Sequence, residues 1–137
     1  MTSFHKAILN LEKIKDEIYR NAKKQILDLA LAVAGKIVCN EVSANKEIIL
    51  KVIKRAFSKV VDHDKIVIRI SPSDLKIVED SKSQFLEFVD NIERITIEED
   101  KTIQDGGCVI ETNLGEIDAR IGKQLQAIEE VFELELQ

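Results

Sequence analysis

The segment from Gly106 to Ala119 constrains the fold of this chain more than any other stretch of its sequence. Gly106 and Gly107 precede a mostly apolar run that begins at Cys108, and Gly115 interrupts the polar residues that follow it. Alternation with a period of two is typical of a strand, and glycine most readily adopts the positive φ of a tight turn. The segment therefore predicts a strand, a bulged three-residue turn at Gly115 and a short return strand.

The residues after this predicted hairpin have helical spacing. Apolar residues recur every three or four positions and predict a helix over about 119–134 with one buried face, made of Ile121, Leu125, Ile128 and Phe132. Asp118 stands just before that helix, where its carboxylate can accept hydrogen bonds from free backbone N–H groups. We therefore expect the hairpin to lead directly into a packed helix.

A second long helical pattern occupies residues 3 to 39. In its first half the apolar positions form a narrow stripe between charged residues, as in a coiled coil, and the candidate seam residues are Ile8, Leu11, Ile18 and Ala22. From residue 26 onward a second apolar face appears, which predicts burial on two sides, within the domain or against another chain. We therefore expect residues 1–25 to form a helical arm and residues 26–137 a globular α/β head in which the helix ends.

The middle of the chain alternates between helix and strand patterns. An apolar stripe over 49–60 predicts a second helix, and alternation over 65–70 predicts a strand. Ser71-Pro72-Ser73-Asp74 is typical of a helix start with Ser71 as the cap, and a break in that helix is expected near 80–81. Another strand is predicted over 94–98. The predicted fold class is α+β, a small mixed sheet packed against helices with the N-terminal helix projecting.

Composition excludes several kinds of partner. The net charge of −5 offers no basic stripe for nucleic acid, and the aromatic content of 4% offers few surfaces on which bases could stack. No apolar run approaches the roughly 20 residues that cross a bilayer, so we expect no direct membrane insertion and a cytoplasmic protein. Cys39 and Cys108 lie in apolar patterns and are expected to be reduced, packed thiols.

Three groups of residues could carry chemistry, and each also has a structural interpretation. Cys108 could be a nucleophile, but its neighbours are apolar or acidic, which favours a packed strand thiol. Glu111 and Asp118 could form an acid–base pair, but they also suit a hairpin and a helix cap. His63 between two aspartates could join a metal site, but it has too few ligands nearby and is expected in a solvated turn.

The two glycines, Gly106 and Gly107, do not form a phosphate loop, because no Lys-Ser/Thr pair and no helix follows them directly. No arrangement of nucleophile, base and oxyanion donor is evident. We therefore predict that the protein is not an enzyme and binds no cofactor or metal.

The hairpin segment resembles the C-terminal signature of the FliH/SctL family, the flagellar and type III secretion stator proteins. The similar residues are Gly106-Gly107-Cys108-Val109-Ile110-Glu111-Thr112, Leu114-Gly115-Glu116-Ile117-Asp118-Ala119, Gln124-Leu125 and Ala127-Ile128. Two further stretches are similar to the family's small-residue helix and its strand-to-helix junction: Ala30-Leu31-Ala32-Val33-Ala34-Gly35-Lys36-Ile37-Val38 and Ile70-Ser71-Pro72-Ser73-Asp74-Leu75. The resemblance covers roughly residues 22–134. Family members usually have a longer region before the helix, so we expect either a truncated chain or a missing ring-binding segment.

The resemblance implies a function. Family members are cytoplasmic homodimers that bind and restrain the secretion ATPase and link it to the cytoplasmic ring of the export machine, peripheral to the inner membrane. It also implies a fold similar to the C-terminal domain of the peripheral-stalk E protein of V- and A-type ATPases. The expected function is thus a non-catalytic stator for a type III secretion or flagellar export ATPase. The alternative is a peripheral-stalk protein of a rotary ATPase, which would pair with a different chain.

Overall fold

A single helix, α1 (Ser3–Ala44), forms the N-terminal third of the chain. It begins where Thr2 Oγ1 accepts a hydrogen bond from the backbone N–H of His5 at 3.2 Å. The helix continues five residues beyond the predicted end at residue 39. The computed structural model describes residues 2–60, 65–87 and 95–136.

A four-stranded mixed sheet forms the centre of the head. Its strands are β1 (Ile66–Ile70), β2 (Ile95–Glu99), β3 (Cys108–Thr112) and β4 (Gly115–Asp118), in the spatial order β2-β1-β3-β4. β1 runs parallel to β2 and antiparallel to β3, and β3 runs antiparallel to β4. The predicted fold class, α+β with a small mixed sheet, is confirmed.

The hairpin differs from its prediction in the length of its turn. Thr112 pairs with Gly115, so Asn113 and Leu114 alone connect β3 and β4, one residue fewer than expected. Gly115 has a φ of +137°, which side chains with a Cβ rarely adopt. Thr112 Oγ1 closes the loop by accepting from the Leu114 N–H and donating to the Gly115 carbonyl.

The core lies on one face of this sheet. Ile66, Ile68 and Ile70 of β1 alternate with half-buried residues, as the sequence predicts, and are fully buried. Complete burial of one such side chain contributes about 1.5–3 kcal/mol. The helix α2 (Ile48–Phe57) covers them with its apolar face. The buried residues of α2 are Ile49, Ile53, Ala56 and Phe57.

The connection from β1 to β2 is a broken helix. A 3₁₀ turn at Pro72–Asp74 leads into α3 (Leu75–Asp80), and a second 3₁₀ segment covers Lys82–Glu87. The predicted break near 80–81 therefore occurs, at Ser81. The predicted cap does not form, because the Ser71 side chain makes no capping hydrogen bond. Its hydroxyl binds Asp105 instead, at 2.6 Å.

The last helix, α4 (Ile121–Leu136), packs along α1. Val42 of α1 lies against the loop that precedes β3, and Gly35 lies against Leu125. Since α4 begins near the C-terminal end of α1 and proceeds toward Gly35, the two helices run antiparallel.

Two predictions about burial on these helices are wrong. In α4, Ile128 and Phe132 are 46% and 47% exposed rather than buried. In α1, Leu27 and Val42 are buried on one side of the helix only, so the predicted burial on two sides does not occur within this chain.

Candidate functional site

The outward face of α1 carries an apolar stripe, in which Lys15 is a charged position between Leu11 and Ile18. We call it the outer stripe, and its members are Phe4, Ile8, Leu11, Ile18, Ala22, Ile26, Leu29, Val33 and Ile37, all exposed. At 3.6 residues per turn these positions fall within about 100° of the helix circumference and extend for about 50 Å. The four predicted seam residues belong to the stripe, and the structure continues it past residue 25 onto the part of the helix that carries the head.

The opposite side of α1 already has a partner. Leu27 is buried, and Leu31, Ala34, Gly35 and Val38 are half-buried on the side that faces α4. A Cβ at Gly35 would stand 3.3 Å from Leu125 Cδ1, so glycine allows the helices to approach closely. From residue 26 onward, α1 therefore has two apolar faces. One packs against α4, and the other is the exposed outer stripe.

The spacing of the outer stripe repeats every eleven residues. Leu11 and Ala22, Ile18 and Leu29, and Ala22 and Val33 are each eleven positions apart. An eleven-residue repeat corresponds to 3.67 residues per turn and favours a right-handed supercoil between associating helices.

The sequence pattern alone suggests a seam over the first half of the helix, because charged residues flank the apolar positions there. The same apolar spacing continues in the sequence over Ile26, Leu29, Val33 and Ile37, and the structure adds that α4 covers the other apolar face of this half of the helix.

The hairpin motif is anchored to the rest of the head by Asp105, which sequence reasoning did not single out. Its Oδ1 accepts hydrogen bonds from Ser71 Oγ at 2.6 Å and Ser73 Oγ at 2.5 Å, and its Oδ2 lies 3.2 Å from Lys46 Nζ. The two serine hydroxyls, followed by Lys46, lower the pKa of Asp105 to about 2. The Ser71-Pro72-Ser73-Asp74 segment thus holds the loop before β3 in addition to starting a helix.

Gly106 and Gly107 allow that loop to touch both long helices. The Gly106 N–H donates to Asp74 Oδ2 at 2.9 Å, and Gly106 has a φ of +81°. A Cβ on Gly106 would lie 2.6 Å from Val42 Cγ1, and one on Gly107 would lie 3.1 Å from Arg120 Cα. The two glycines therefore fix the end of α1 and the start of α4 to the sheet, which gives the motif an architectural role.

The candidate catalytic side chains do not form a common site: Cys108 is buried, and Glu111 and Asp118 each bind a different arginine. Cys108 is buried, and this burial, with a smaller contribution from Asp118, raises the pKa of its thiol to about 12, so the thiol stays protonated near neutral pH. Glu111 Oε1 binds Arg69 Nη1 at 2.6 Å, while Asp118 Oδ2 binds Arg120 Nη2 at 2.6 Å. In the strand register Glu111 faces Glu116 and Asp118 faces Val109, so the two predicted partners are not opposite each other.

Asp118 contributes to the start of α4 as well. Its Oδ1 accepts a hydrogen bond from the backbone N–H of Arg120 at 3.1 Å, next to the first residue of the helix. The Arg120 side chain and backbone together lower the pKa of this carboxyl group. Asp118 therefore joins β4 to α4 through local bonds, as a residue at a helix start commonly does.

Potential metal ligands do not converge in the parts of the chain that the structure describes. Within residues 2–60, 65–87 and 95–136, no group of three or more His, Cys, Asp or Glu side chains could hold a metal ion. His63, the candidate ligand of the sequence analysis, lies outside these ranges. None of the described helices combines the length and apolar character needed to cross a membrane.

A small α+β head fixed to a long helix, with an apolar face along that helix, defines a class of protein that assembles with other chains. Comparison with known sequences agrees with this class and narrows it. The chain belongs to the FliH family, because the family model described as "Flagellar assembly protein FliH" matches residues 1–128.

Individual relatives carry related names. The flagellar assembly protein FliH of Borreliella burgdorferi is 39% identical over 132 residues, which is 96% of this chain and 43% of that protein. The probable flagellar assembly protein FliH of Bacillus subtilis is 27% identical, over 89% of this chain and 58% of that protein. A type 3 secretion system stator protein of Yersinia enterocolitica is 25% identical, over 82% of this chain and 49% of that protein. The chain thus spans about half the length of the relatives it matches.

Proposed function

We propose that this protein is a stator of the flagellar export machine, in which two copies associate along α1 and hold the export ATPase. Membership of the FliH family carries the proposal, because the match extends over residues 1–128 and includes both the long helix and the head. The stator name of the Yersinia enterocolitica relative supports a holding role. The flagellar names of the family and of the 39% identical relative favour a flagellar machine over an injectisome.

The outer stripe supports self-association. Nine apolar side chains on one face of a helix expose far more apolar surface than isolated residues would, and α4 occupies the opposite face along the C-terminal half of the helix. A second copy of the same helix offers a matching stripe, and a two-fold pair buries both stripes at once. The arm (residues 1–25) and the head (residues 26–137) would then form one dimer, whose seam runs through Ile8, Leu11, Ile18 and Ala22 into the head.

The head would bind the ATPase, restrain its activity and connect it to the cytoplasmic ring. The half-exposed side of α4, with Ile128, Val131 and Phe132, is an apolar surface beside the hairpin and is the proposed contact. This role requires no catalytic group. The protein would be cytoplasmic and peripheral to the inner membrane. The rotary-ATPase stalk alternative is less favoured, because the relatives have flagellar and type III secretion names.

Purified components test the proposal. The chain is mixed with the flagellar export ATPase of the same organism, and the mass of the complex is measured by size-exclusion chromatography with light scattering while ATP hydrolysis is followed. A complex with two copies of this chain per ATPase chain and reduced hydrolysis is the expected result. An ATPase that stays free, with its hydrolysis rate unchanged at saturating concentrations of this chain, would show that the proposal is wrong.

A further inference from the structure

The side of α1 that packs against α4 changes character where α4 ends. Leu125 of α4 meets Gly35 of α1, and α4 ends eleven residues later, so it reaches about residue 24 of the antiparallel α1. Positions seven residues apart lie nearly on one line along a helix. The line that faces α4 continues into the arm, and its members are Ala34, Leu27, Arg20, Lys13 and Lys6. The apolar side that α4 covers therefore becomes a basic side over the arm.

The basic side of the arm lies opposite the outer stripe. Its members are Lys6, Lys13, Arg20 and Lys24, all exposed, with Asp16 and Glu17 bordering it on either side. None of these four cations forms an ion pair in the parts of the chain that the structure describes. The first 25 residues contain six Lys or Arg and three Asp or Glu, so the arm has a net charge of +3 and the remaining residues carry −8. A dimer joined along the outer stripe leaves both basic sides facing outward.

The face of the sheet that points away from α2 is largely open and negatively charged. We call it the outer sheet face, and the alternation along the four strands places on it Val67, Arg69, Thr96, Glu98, Val109, Glu111, Glu116 and Asp118. Among these residues Val109 alone is buried, whereas Thr96, Glu98 and Glu116 are exposed. The face therefore carries four acids and one arginine on a surface that another molecule can reach.

Two acids of this face stand directly opposite each other across the hairpin. Glu111 is the register partner of Glu116, and like charges in such a pair destabilise a sheet. Arg69 binds Glu111, whereas neither Glu116 nor Glu98 forms an ion pair within the described ranges. Arg120 acts on Glu116 only through longer-range attraction, since its guanidinium is bound to Asp118. The face thus retains negative charge that a cationic surface would neutralise.

The spacing of these acids matches the spacing of the cations on the arm. Glu111 lies two strands from Glu98 and two residues further along the sheet, at about 12 Å, and Glu116 lies on the neighbouring strand, about 5 Å from Glu111. On the basic side, seven residues separate the second cation from the third, about 10 Å, and four residues separate the third from the fourth, about 6 Å. A helix laid across the face would pair Lys13 with Glu98, Arg20 with Glu111 and Lys24 with Glu116.

We infer that the basic side of the arm of one dimer binds the outer sheet face of another dimer. An arm cannot reach its own sheet, because α1 is a continuous helix that leads away from the head. Within a dimer the seam is on the other side of each arm, so the basic side points away from the partner's helix. Because arm and sheet face are different surfaces, each dimer offers both, and the contact joins dimers into a row or a closed ring. This contact rests on the proposed dimer and is independent of ATPase binding.

Analytical ultracentrifugation of the full chain at low and high salt tests this contact. Exposed ion pairs are individually weak and are screened by salt, whereas an apolar seam is not. Association between dimers is therefore expected at high protein concentration in about 20 mM salt, and dimers alone in about 300 mM salt. K13E/K24E (the arm variant) and E98K/E116K (the sheet variant) should each weaken this association at least about tenfold, because like charges then meet. The quadruple variant K13E/K24E/E98K/E116K, which reverses both surfaces, should restore it.

Matched variants separate this contact from an effect of net charge. K51E/K76E makes the same change of charge as the arm variant at exposed positions on α2 and α3, and E79K/E130K makes the same change as the sheet variant on α3 and α4. Both control variants should associate nearly as the unmodified protein does. Circular dichroism should show the same helix content in all variants, since every changed residue is exposed.

Each outcome supports or overturns the contact between dimers. Dimers that stay separate at low salt, or arm and sheet variants that associate as strongly as their controls, would show that the inference is wrong. It is equally wrong if the quadruple variant fails to recover the association that the arm and sheet variants lose. Loss of the dimer itself in the arm variant at high salt would place Lys13 or Lys24 in the seam and overturn the inference.

The ATPase assay of the proposed function, run on the same variants, keeps the two proposals apart. ATPase binding that persists while dimers stay separate leaves the stator function standing and removes only the contact between dimers. An ATPase that does not bind, with the association of dimers intact, overturns the stator function alone.

Discussion

Replacing Ile18 by aspartate places a charge in the middle of the outer stripe. Ile18 is 62% exposed in the single chain, so it contributes little to the folding of that chain and much to any surface that covers it. Circular dichroism should therefore show an unchanged helix content and an unchanged head. The expected effect is confined to association.

The magnitude follows from the exposed fraction. Burial of a whole isoleucine contributes about 1.5–3 kcal/mol, so covering the exposed 62% of Ile18 contributes about 1–2 kcal/mol per chain. A two-fold dimer loses this contribution twice, and the two aspartates would additionally meet or desolvate each other at the seam. We expect a total loss of about 3–5 kcal/mol, which weakens the dimer by at least about a hundredfold.

Sedimentation equilibrium at several protein concentrations measures this change. The unmodified protein should show twice the chain mass of 15.5 kDa, and Ile18→Asp should show the single-chain mass at the same concentrations. Leu9→Asp is the matched control, because Leu9 is an exposed apolar residue of the same helix on the side away from the outer stripe. A dimer that persists in Ile18→Asp, or one that is lost equally in Leu9→Asp, would contradict the seam assignment.

Three further predictions concern the head. Gly106→Ala should lower the free energy of unfolding by about 2–4 kcal/mol in urea titration, because the new Cβ would sit on a backbone with a φ of +81° and only 2.6 Å from Val42 Cγ1. Gly122→Ala is the control and should not lower it, since a Cβ there meets no atom within 4 Å. Asp105→Asn should lower the free energy of unfolding by about 1 kcal/mol at pH 6, a small value because Asp105 is partly exposed and solvent screens its interactions. Because the folded-state pKa of about 2 lies below the ordinary value of 3.8, that difference should vanish as the pH falls from 4 to 2, and a constant difference would exclude Asp105 as its source. Cys108 is buried as predicted, but the prediction of a packed thiol is wrong for Cys39, which is exposed on α1. Thiol labelling of the native protein should therefore modify Cys39 quickly and Cys108 only on unfolding, and fast reaction of both would support Cys108 as a candidate nucleophile.

Local patterns predict the elements of this fold well, because each depends on a short periodic signal. Alternation over β1 and the break at Ser81 follow from residues a few positions apart, and positive φ occurs at Gly115, where a turn was expected. The turn itself is one residue shorter than predicted. Turn length depends on the pairing register, which the glycine alone does not determine.

Contacts between distant segments are not predictable in this way. Asp105 lies between a glycine pair and a polar turn, and nothing in its neighbourhood indicates that Ser71 and Ser73 bind it. Ser71 was expected to cap a helix because the local sequence allows that role, and a tertiary hydrogen bond uses its hydroxyl instead.

Apolar periodicity identifies a face but not what covers it. The pattern of α4 predicts burial of Ile128 and Phe132 as readily as that of Ile121, yet the single chain buries Ile121 alone among the three. The same holds in α1, where the outer stripe and the α4-facing residues give similar signals. The sequence therefore contains both the core and the proposed assembly surfaces, and only the arrangement of the helices separates them.

The attachment of α1 to the head has a mechanical consequence. The helix is held at its C-terminal half by α4 and by the contact between Val42 and Gly106, and residues 3–26 extend from there without a proline or a glycine. At 1.5 Å per residue that free segment is a lever of about 36 Å. A tilt of about 5° at the contact between Gly35 and Leu125, which lies about 48 Å from residue 3, displaces that end of the helix by about 4 Å. A small displacement at the head therefore becomes a larger one at the far end of the helix.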